Sequence, residues 1–325
     1  MTTYLAARRV ATTQRLEELC TRLAGAEEFV KDQACVYATG SFGRGEASSH
    51  SDLDLFIAGR VRSGTRALSR LDEICLKAEL IKATRALGIQ EFSGDGEYLV
   101  HYTVDQLVKT LGRPEDDASN TFTARLLLLL ESSPLLGPRV YWEAIDDAIK
   151  AYWGDFEDHR ADFAPAFFAN DILRIWRTFC VNYEARTARE PEEKKAKRKL
   201  KNYKLKHSRL LTCYSALAYL LAVFASRQTV TPEDAKRMVG LTPTARLEVL
   251  VAEFGVDGDL VEKLITAYER FLTNTDVPEE SLIGQFRDSN RSRQYVTEAG
   301  EFGDLVAELI VATGKGSKFS RLLLV

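Results

Sequence analysis

The chain has 325 residues, enough for one large domain or two ordinary ones, and its 45% hydrophobic and 28% charged content is that of a globular protein with a buried core. A formal net charge of -3 gives no global ground for nucleic-acid binding. The five cysteines (Cys20, Cys35, Cys75, Cys180, Cys213) are scattered without a CxxC pair, which argues against a disulfide scaffold or a zinc site and for a reducing, cytoplasmic setting.

The opening residues Met-Thr-Thr-Tyr-Leu-Ala-Ala-Arg-Arg lack the apolar stretch of a signal peptide. Helical spacing of Leu5, Val10, Leu16, Leu19, Cys20 and Leu23 predicts one helix over 3–29. A buried strand follows at 34–38, ending in the turn Gly40-Ser41, then a helical turn to about residue 47 and a polar loop at 48–51. Residues 52–58 alternate as a half-buried strand does. A helix is expected over 64–87, closed by Gly88, and a hairpin over 89–92 and 97–104 about Ser-Gly-Asp-Gly. Beyond Asp105 the pattern is helical, with a break at 131–138 and helices near 139–153, 166–188, 200–226, 232–239, 243–254, 257–273, 279–288 and 293–313. The apolar stretch 210–225 carries Thr212, Tyr214, Ser215 and Tyr219, and reads as a buried helix and not as a membrane span.

The chemistry concentrates in residues 37–57. On a strand, residues two apart point the same way, so Asp52 and Asp54 project from one face while Leu53 and Leu55 face the other. Two adjacent carboxylates repel unless a cation sits between them, and hard oxygen ligands suit magnesium or manganese with triphosphate oxygens completing the shell. Gly40 lets the backbone approach a phosphate, and the Ser41 hydroxyl faces the anion. Gly43 and Gly45 keep the loop open, and Arg44 is placed to add a charge-assisted contact.

Gly-Ser, ten residues, then Asp-x-Asp resembles the signature of the DNA polymerase β-like nucleotidyltransferase superfamily. The form Gly-Arg-Gly-Glu followed by Ser-Asp-Leu-Asp-Leu is most similar to the branch holding the bacterial PII uridylyltransferases and related DUF294-type proteins. The leucine-rich helix ending at Glu131 is similar in placement to one of that branch. The close likeness covers about residues 30–135. It implies an α+β fold: a small mixed β-sheet nucleotidyltransferase core in residues 1–135 (helix 3–29, core 30–135), followed by an all-helical domain, 136–325. It also implies transfer of a nucleoside monophosphate from a nucleoside triphosphate, with Mg2+ (or Mn2+) as cofactor and pyrophosphate released. Such enzymes carry a third carboxylate on a neighbouring strand; Glu91, Asp95 and Glu97 are the candidates, with Asp105 behind them. Lack of a working third acid would mean weak or lost catalysis.

Residues 186–209 form a lysine- and arginine-rich run leading into the apolar helix. Its first half reads as a solvated linker. Lys204, Ser208 and Arg209, at the start of the buried helix, are candidate contacts for the triphosphate or for the phosphates of an acceptor RNA. Arg174 and Arg177 share a helix face, either for nucleotide contact or for ion pairing to Asp171 or neighbouring helices. The leading expectation is thus a nucleotidyltransferase acting on a protein, RNA or small-molecule acceptor, away from membranes. The alternatives are an inactive nucleotidyltransferase fold that regulates through nucleotide or toxin binding, and an RNA-binding module.

Overall fold

A computed structural model of the chain describes residues 3–89, 99–188, 191 and 194–323. It comprises two compact units, Met1–Gly154 and Asp155–Val325, in an α+β architecture.

The first unit runs α1 (Thr3–Arg22), α2 (Glu27–Val30), β1 (Ala34–Thr39), α3 (Gly40–Gly43), β2 (Asp54–Gly59), β3 (Val61–Arg62), β4 (Thr65–Arg66), α4 (Arg70–Ala86), β5 (His101–Thr103), α5 (Val104–Lys109), α6 (Pro114–Ala118), α7 (Thr121–Leu130), β6 (Ser133–Leu136) and α8 (Pro138–Tyr152). Four strands make a mixed sheet in the order β5-β2-β1-β6. Strand β1 is antiparallel to both β2 and β6, and β2 is parallel to β5. Alternation along the strands gives each face its own filling. Val36, Leu55 and Ile57 pack with Leu19 of α1, Leu23 just beyond it, and Leu76 and Leu80 of α4. On the opposite face an aromatic ladder crosses the sheet: Tyr37 stacks on Phe56 at 5.6 Å, and Phe56 on Tyr102 at 6.1 Å. Tyr141 of α8 closes it at 5.9 Å from Tyr37.

Three departures from the sequence expectations have local causes. The helix expected over 3–29 ends at Arg22; a tight turn over Ala24–Ala26, containing Gly25, redirects the chain into α2. The start of the helix expected over 64–87 is instead a small hairpin. Ser63 and Gly64 both take positive φ (51° and 79°), which suits a two-residue hairpin turn, and α4 begins only where the Ser69 hydroxyl accepts the Asp72 N–H. The break expected at 131–138 contains an edge strand, β6, where Pro134 is tolerated because an edge has an unpaired side. With β6 and α8 packed onto β1, the first unit extends to Gly154, past the boundary expected at 135. Of the hairpin expected over 89–104, residues 90–98 lie outside the described residues, and β5 occupies 101–103.

The second unit is helical, as expected: α9 (Ala166–Thr187), α10 (Lys195–Lys204), α11 (Leu210–Arg227), α12 (Pro232–Val239), α13 (Pro243–Phe254), α14 (Gly258–Asn274), α15 (Glu279–Arg287), α16 (Ser289–Gly314) and α17 (Lys318–Arg321). The Thr-Pro pairs act as starts. Thr231 and Asp234 exchange reciprocal side-chain to backbone hydrogen bonds at the head of α12, and Thr242 accepts from the Ala245 N–H at the head of α13. A wide, π-type turn over Leu205–Arg209 joins α10 to α11 in one continuous run. That run, Lys195–Arg227, is long and apolar enough to cross a membrane, but 83% of its apolar window is buried inside the protein, which makes it a core helix.

Candidate functional site

The site forms where β1 ends and β2 begins. Thr39, the last residue of β1, pairs with Asp54, the first of β2. Between them the chain turns through Gly40, whose φ of +65° only glycine adopts without strain. A Cβ at Gly40 would also lie 2.9 Å from Asp54 Oδ2, so any larger residue there would have to displace that carboxylate. The aspartate carboxylate therefore occupies the space that a side chain at residue 40 would fill.

Asp52 is exposed and Asp54 half-buried, while Leu53 and Leu55 are buried in the core. The two carboxylates thus leave the sheet on one face. Thr39 shares that face by its cross-strand pairing with Asp54. Its Oγ1 is buried and has no hydrogen-bond partner in the protein. Ser41 is half-buried, on the first turn after Gly40.

Behind the loop lies a buried charge cluster. Arg44 Nε donates to Glu46 Oε2 at 2.9 Å, and Arg44 Nη1 donates to Glu131 Oε2 at 2.8 Å. The other oxygen of Glu131 accepts the Gly40 N–H at 3.3 Å. Exposures of 6%, 1% and 3% for Arg44, Glu46 and Glu131 place the whole cluster away from solvent. Arg44, expected at the triphosphate, is instead sunk behind the loop that would hold it. Only Arg presents donors in a fork able to serve two carboxylates at once. Gly43 completes the anchor, since a Cβ there would sit 2.0 Å from the Glu131 carbonyl oxygen. Sequence reasoning missed Glu131, which falls in the stretch taken as a break. The signal was its place directly after Leu126–Leu130, all buried: a carboxylate at the end of such a run must find a partner.

Strand β5, parallel to β2, reads His-Tyr-Thr and carries no carboxylate. Glu91, Asp95 and Glu97 lie outside the described residues. Asp105 lines an open pocket of about 340 Å3 with Arg60, Val61, Val104 and Glu143. Arg60 follows the last residue of β2, so this pocket is at the far end of the strand from Asp54, about 15–20 Å away at strand rise. Asp105 is too remote to join the pair. Among the described residues no group of three His, Cys, Asp or Glu side chains is gathered for a metal. Two carboxylates on one face suffice for Mg2+, which keeps waters and takes substrate phosphates for the rest of its shell. The exposed Asp52, half-buried Asp54 and unpartnered Thr39 hydroxyl fit that role.

Lys204, Ser208 and Arg209 belong to the second unit. Lys204 is exposed on the last turn of α10, Ser208 is buried in the π-type turn, and Arg209 lies over the Phe179 ring at 5.1 Å.

Residues 23–109 match the family model described as a nucleotidyltransferase domain. The match takes in β1, the Gly40-Ser41 turn, Asp52, Asp54 and β5, and stops short of Glu131. No curated protein and no solved structure matches the chain.

Proposed function

We propose that the first unit binds a nucleoside triphosphate with a divalent cation and transfers its nucleoside monophosphate to an acceptor oxygen. An acceptor hydroxyl, giving up its proton to solvent, or an acceptor phosphate oxygen forms a new bond to the α-phosphorus. The bond from that phosphorus to the bridging oxygen breaks, and its electron pair leaves with pyrophosphate. Asp52 and Asp54 would hold Mg2+ or Mn2+, which when bound neutralises charge on the phosphates. The Gly40-Ser41 turn would seat the triphosphate, with the Ser41 hydroxyl as a donor. Arg44, Glu46 and Glu131 keep that turn in place from behind, so that binding does not have to order it.

The observation that carries this reading is that the Asp54 carboxylate occupies the space a side chain at residue 40 would take, so that a phosphate seated on the turn would lie beside a cation held by Asp54. The nucleotidyltransferase family match over the same residues supports it. The nearer likeness to the PII uridylyltransferases rests on Gly-Arg-Gly-Glu followed by Ser-Asp-Leu-Asp-Leu and on the leucine-rich helix ending at Glu131. Here Arg44 and Glu46 of the first string are ion-pair partners, a structural part that does not select an acceptor.

Incubating the purified protein with each labelled nucleoside triphosphate, Mg2+ and cell lysate tests the proposal. Labelling of an acceptor, lost in the Asp52→Ala, Asp54→Ala double variant, is the expected result. Unchanged turnover in that variant would sink it, and triphosphate binding without any turnover would favour the regulatory reading instead.

A further inference from the structure

The basic segment singled out in the sequence divides into two sides in the folded second unit. Between Lys194 and Arg209 there is no carboxylate. On one side, Lys197 pairs with Glu279 of α15 at 2.7 Å, and Lys201 and Lys204 also act on that carboxylate. Lys199 reaches the Ser292 hydroxyl at 2.9 Å. Lys197 and Lys199 thus meet partners within the protein.

The other side faces α9, where cations lie among aromatic rings. Lys206 is exposed and, with Glu184, lies within electrostatic reach of Cys180. Arg209, one turn on, lies over Phe179 at 5.1 Å. Arg177 is exposed and acts on Tyr214, and Trp176 meets Tyr214 edge-on at 6.1 Å. Tyr214, Trp176 and Phe179 are each half-buried, so packing holds them while part of each residue stays exposed.

We propose that this α9–α11 face, with Lys206, Arg209 and Arg177 interleaved with Phe179, Tyr214 and Trp176, binds single-stranded nucleic acid. Cations a helical turn apart meet successive backbone phosphates, and packed rings offer stacking to bases. A duplex hides its bases and a bilayer has none, so the aromatic half of the face has work only on a single strand. An acidic peptide would use the cations but not the rings. The inference concerns the second unit and holds whether or not the first unit transfers nucleotides.

Fluorescence anisotropy of the full chain with a labelled 12-nucleotide oligouridylate, its oligodeoxythymidylate counterpart and a duplex of equal length tests it, without triphosphate. Either single strand should bind at least tenfold more tightly than the duplex. Arg177→Glu with Lys206→Glu, both exposed positions, should weaken binding at least tenfold and flatten the dependence of log affinity on log salt. Tyr214→Leu should weaken binding severalfold and leave that slope unchanged, while Lys263→Glu on α14 should alter neither. Equal affinity for the duplex overturns the proposal. So does displacement by polyaspartate as effective as by unlabelled oligonucleotide, or wild-type binding by the folded double variant.

Discussion

Glu131 holds Gly40: one carboxylate oxygen accepts the Gly40 N–H at 3.3 Å while the other takes Arg44 Nη1 at 2.8 Å. The residue that fixes the Gly-Ser turn therefore lies ninety-one positions further on, at the end of α7. Removing one partner of a buried pair strands the other, at a cost of about 3–5 kcal/mol. Glu131→Ala is thus expected to lower the melting temperature and also raise KM for the triphosphate, because the turn loses its anchor. Glu131→Gln keeps an acceptor for the Gly40 N–H and loses the charge facing Arg44. Its KM should recover further than its melting temperature. Thermal melts and initial-rate kinetics on both variants check the order; equal recovery of both quantities would make Glu131 a stability residue alone.

Gly40→Ala separates strain from function. Left-handed backbone at an alanine costs about 1–2 kcal/mol, and the added Cβ would press on Asp54 Oδ2. The melt should shift by only a few degrees. Turnover should fall far more, by about 10²-fold, as expected when a reacting geometry moves by an ångström. At Gly43 the obstruction is the Glu131 backbone, which has no rotamer to yield. Gly43→Ala should therefore lower stability and activity together.

Thr39 gives a prediction of opposite signs. Its hydroxyl is buried beside Asp54 without a protein partner, a state that costs about 1–3 kcal/mol. Thr39→Val removes the hydroxyl at nearly constant shape and should leave the protein as stable or more so by calorimetry. If the hydroxyl orients Asp54 during turnover, kcat should fall at the same time. A variant equal to wild type in kcat would show that the hydroxyl has no part in the reaction.

The sequence carried the parts of the site that are local in the chain. The turn at Gly40 and the alternation from Asp52 to Leu55 are legible because turn chemistry and strand alternation act over two or three residues. The helices of the second unit were legible for the same reason, and α12 and α13 begin and end where Thr-Pro and the apolar spacing put them. The burial of Arg44 was not legible, because an exposed and a buried arginine look alike until the partners are known, and Glu131 arrives from far along the chain. Strand β6 was missed because Ser-Pro reads as a break unless an unpaired edge of β1 is waiting for it. The hairpin at Ser63-Gly64 was absorbed into a helix because two residues of turn signal were outweighed by the helical pattern after them.

His207 ties stability to pH. It lies between Phe271 and Phe302, with ring centroids at 4.5 and 4.9 Å, and donates Nδ1–H to the Tyr203 carbonyl at 2.8 Å. Burial pushes its pKa down to about 4, against 6.5 for an ordinary histidine; the Tyr203 carbonyl opposes that shift and Lys206 adds to it. The unfolded chain therefore takes up a proton between these values and the folded chain does not. At pH above 6.5 the group costs nothing; as pH falls from 6.5 to about 4, the unfolded state gains about 1.4 kcal/mol per unit, about 3 kcal/mol in all. Below pH 4 this contribution stays constant. His207→Phe keeps a ring in the stack and removes the titration. Urea melts of the second unit's transition between pH 7 and 4.5 should show a steep loss of stability in the wild type and a shallower one in the variant. Parallel curves would mean that His207 is protonated in the folded protein as readily as in the unfolded chain.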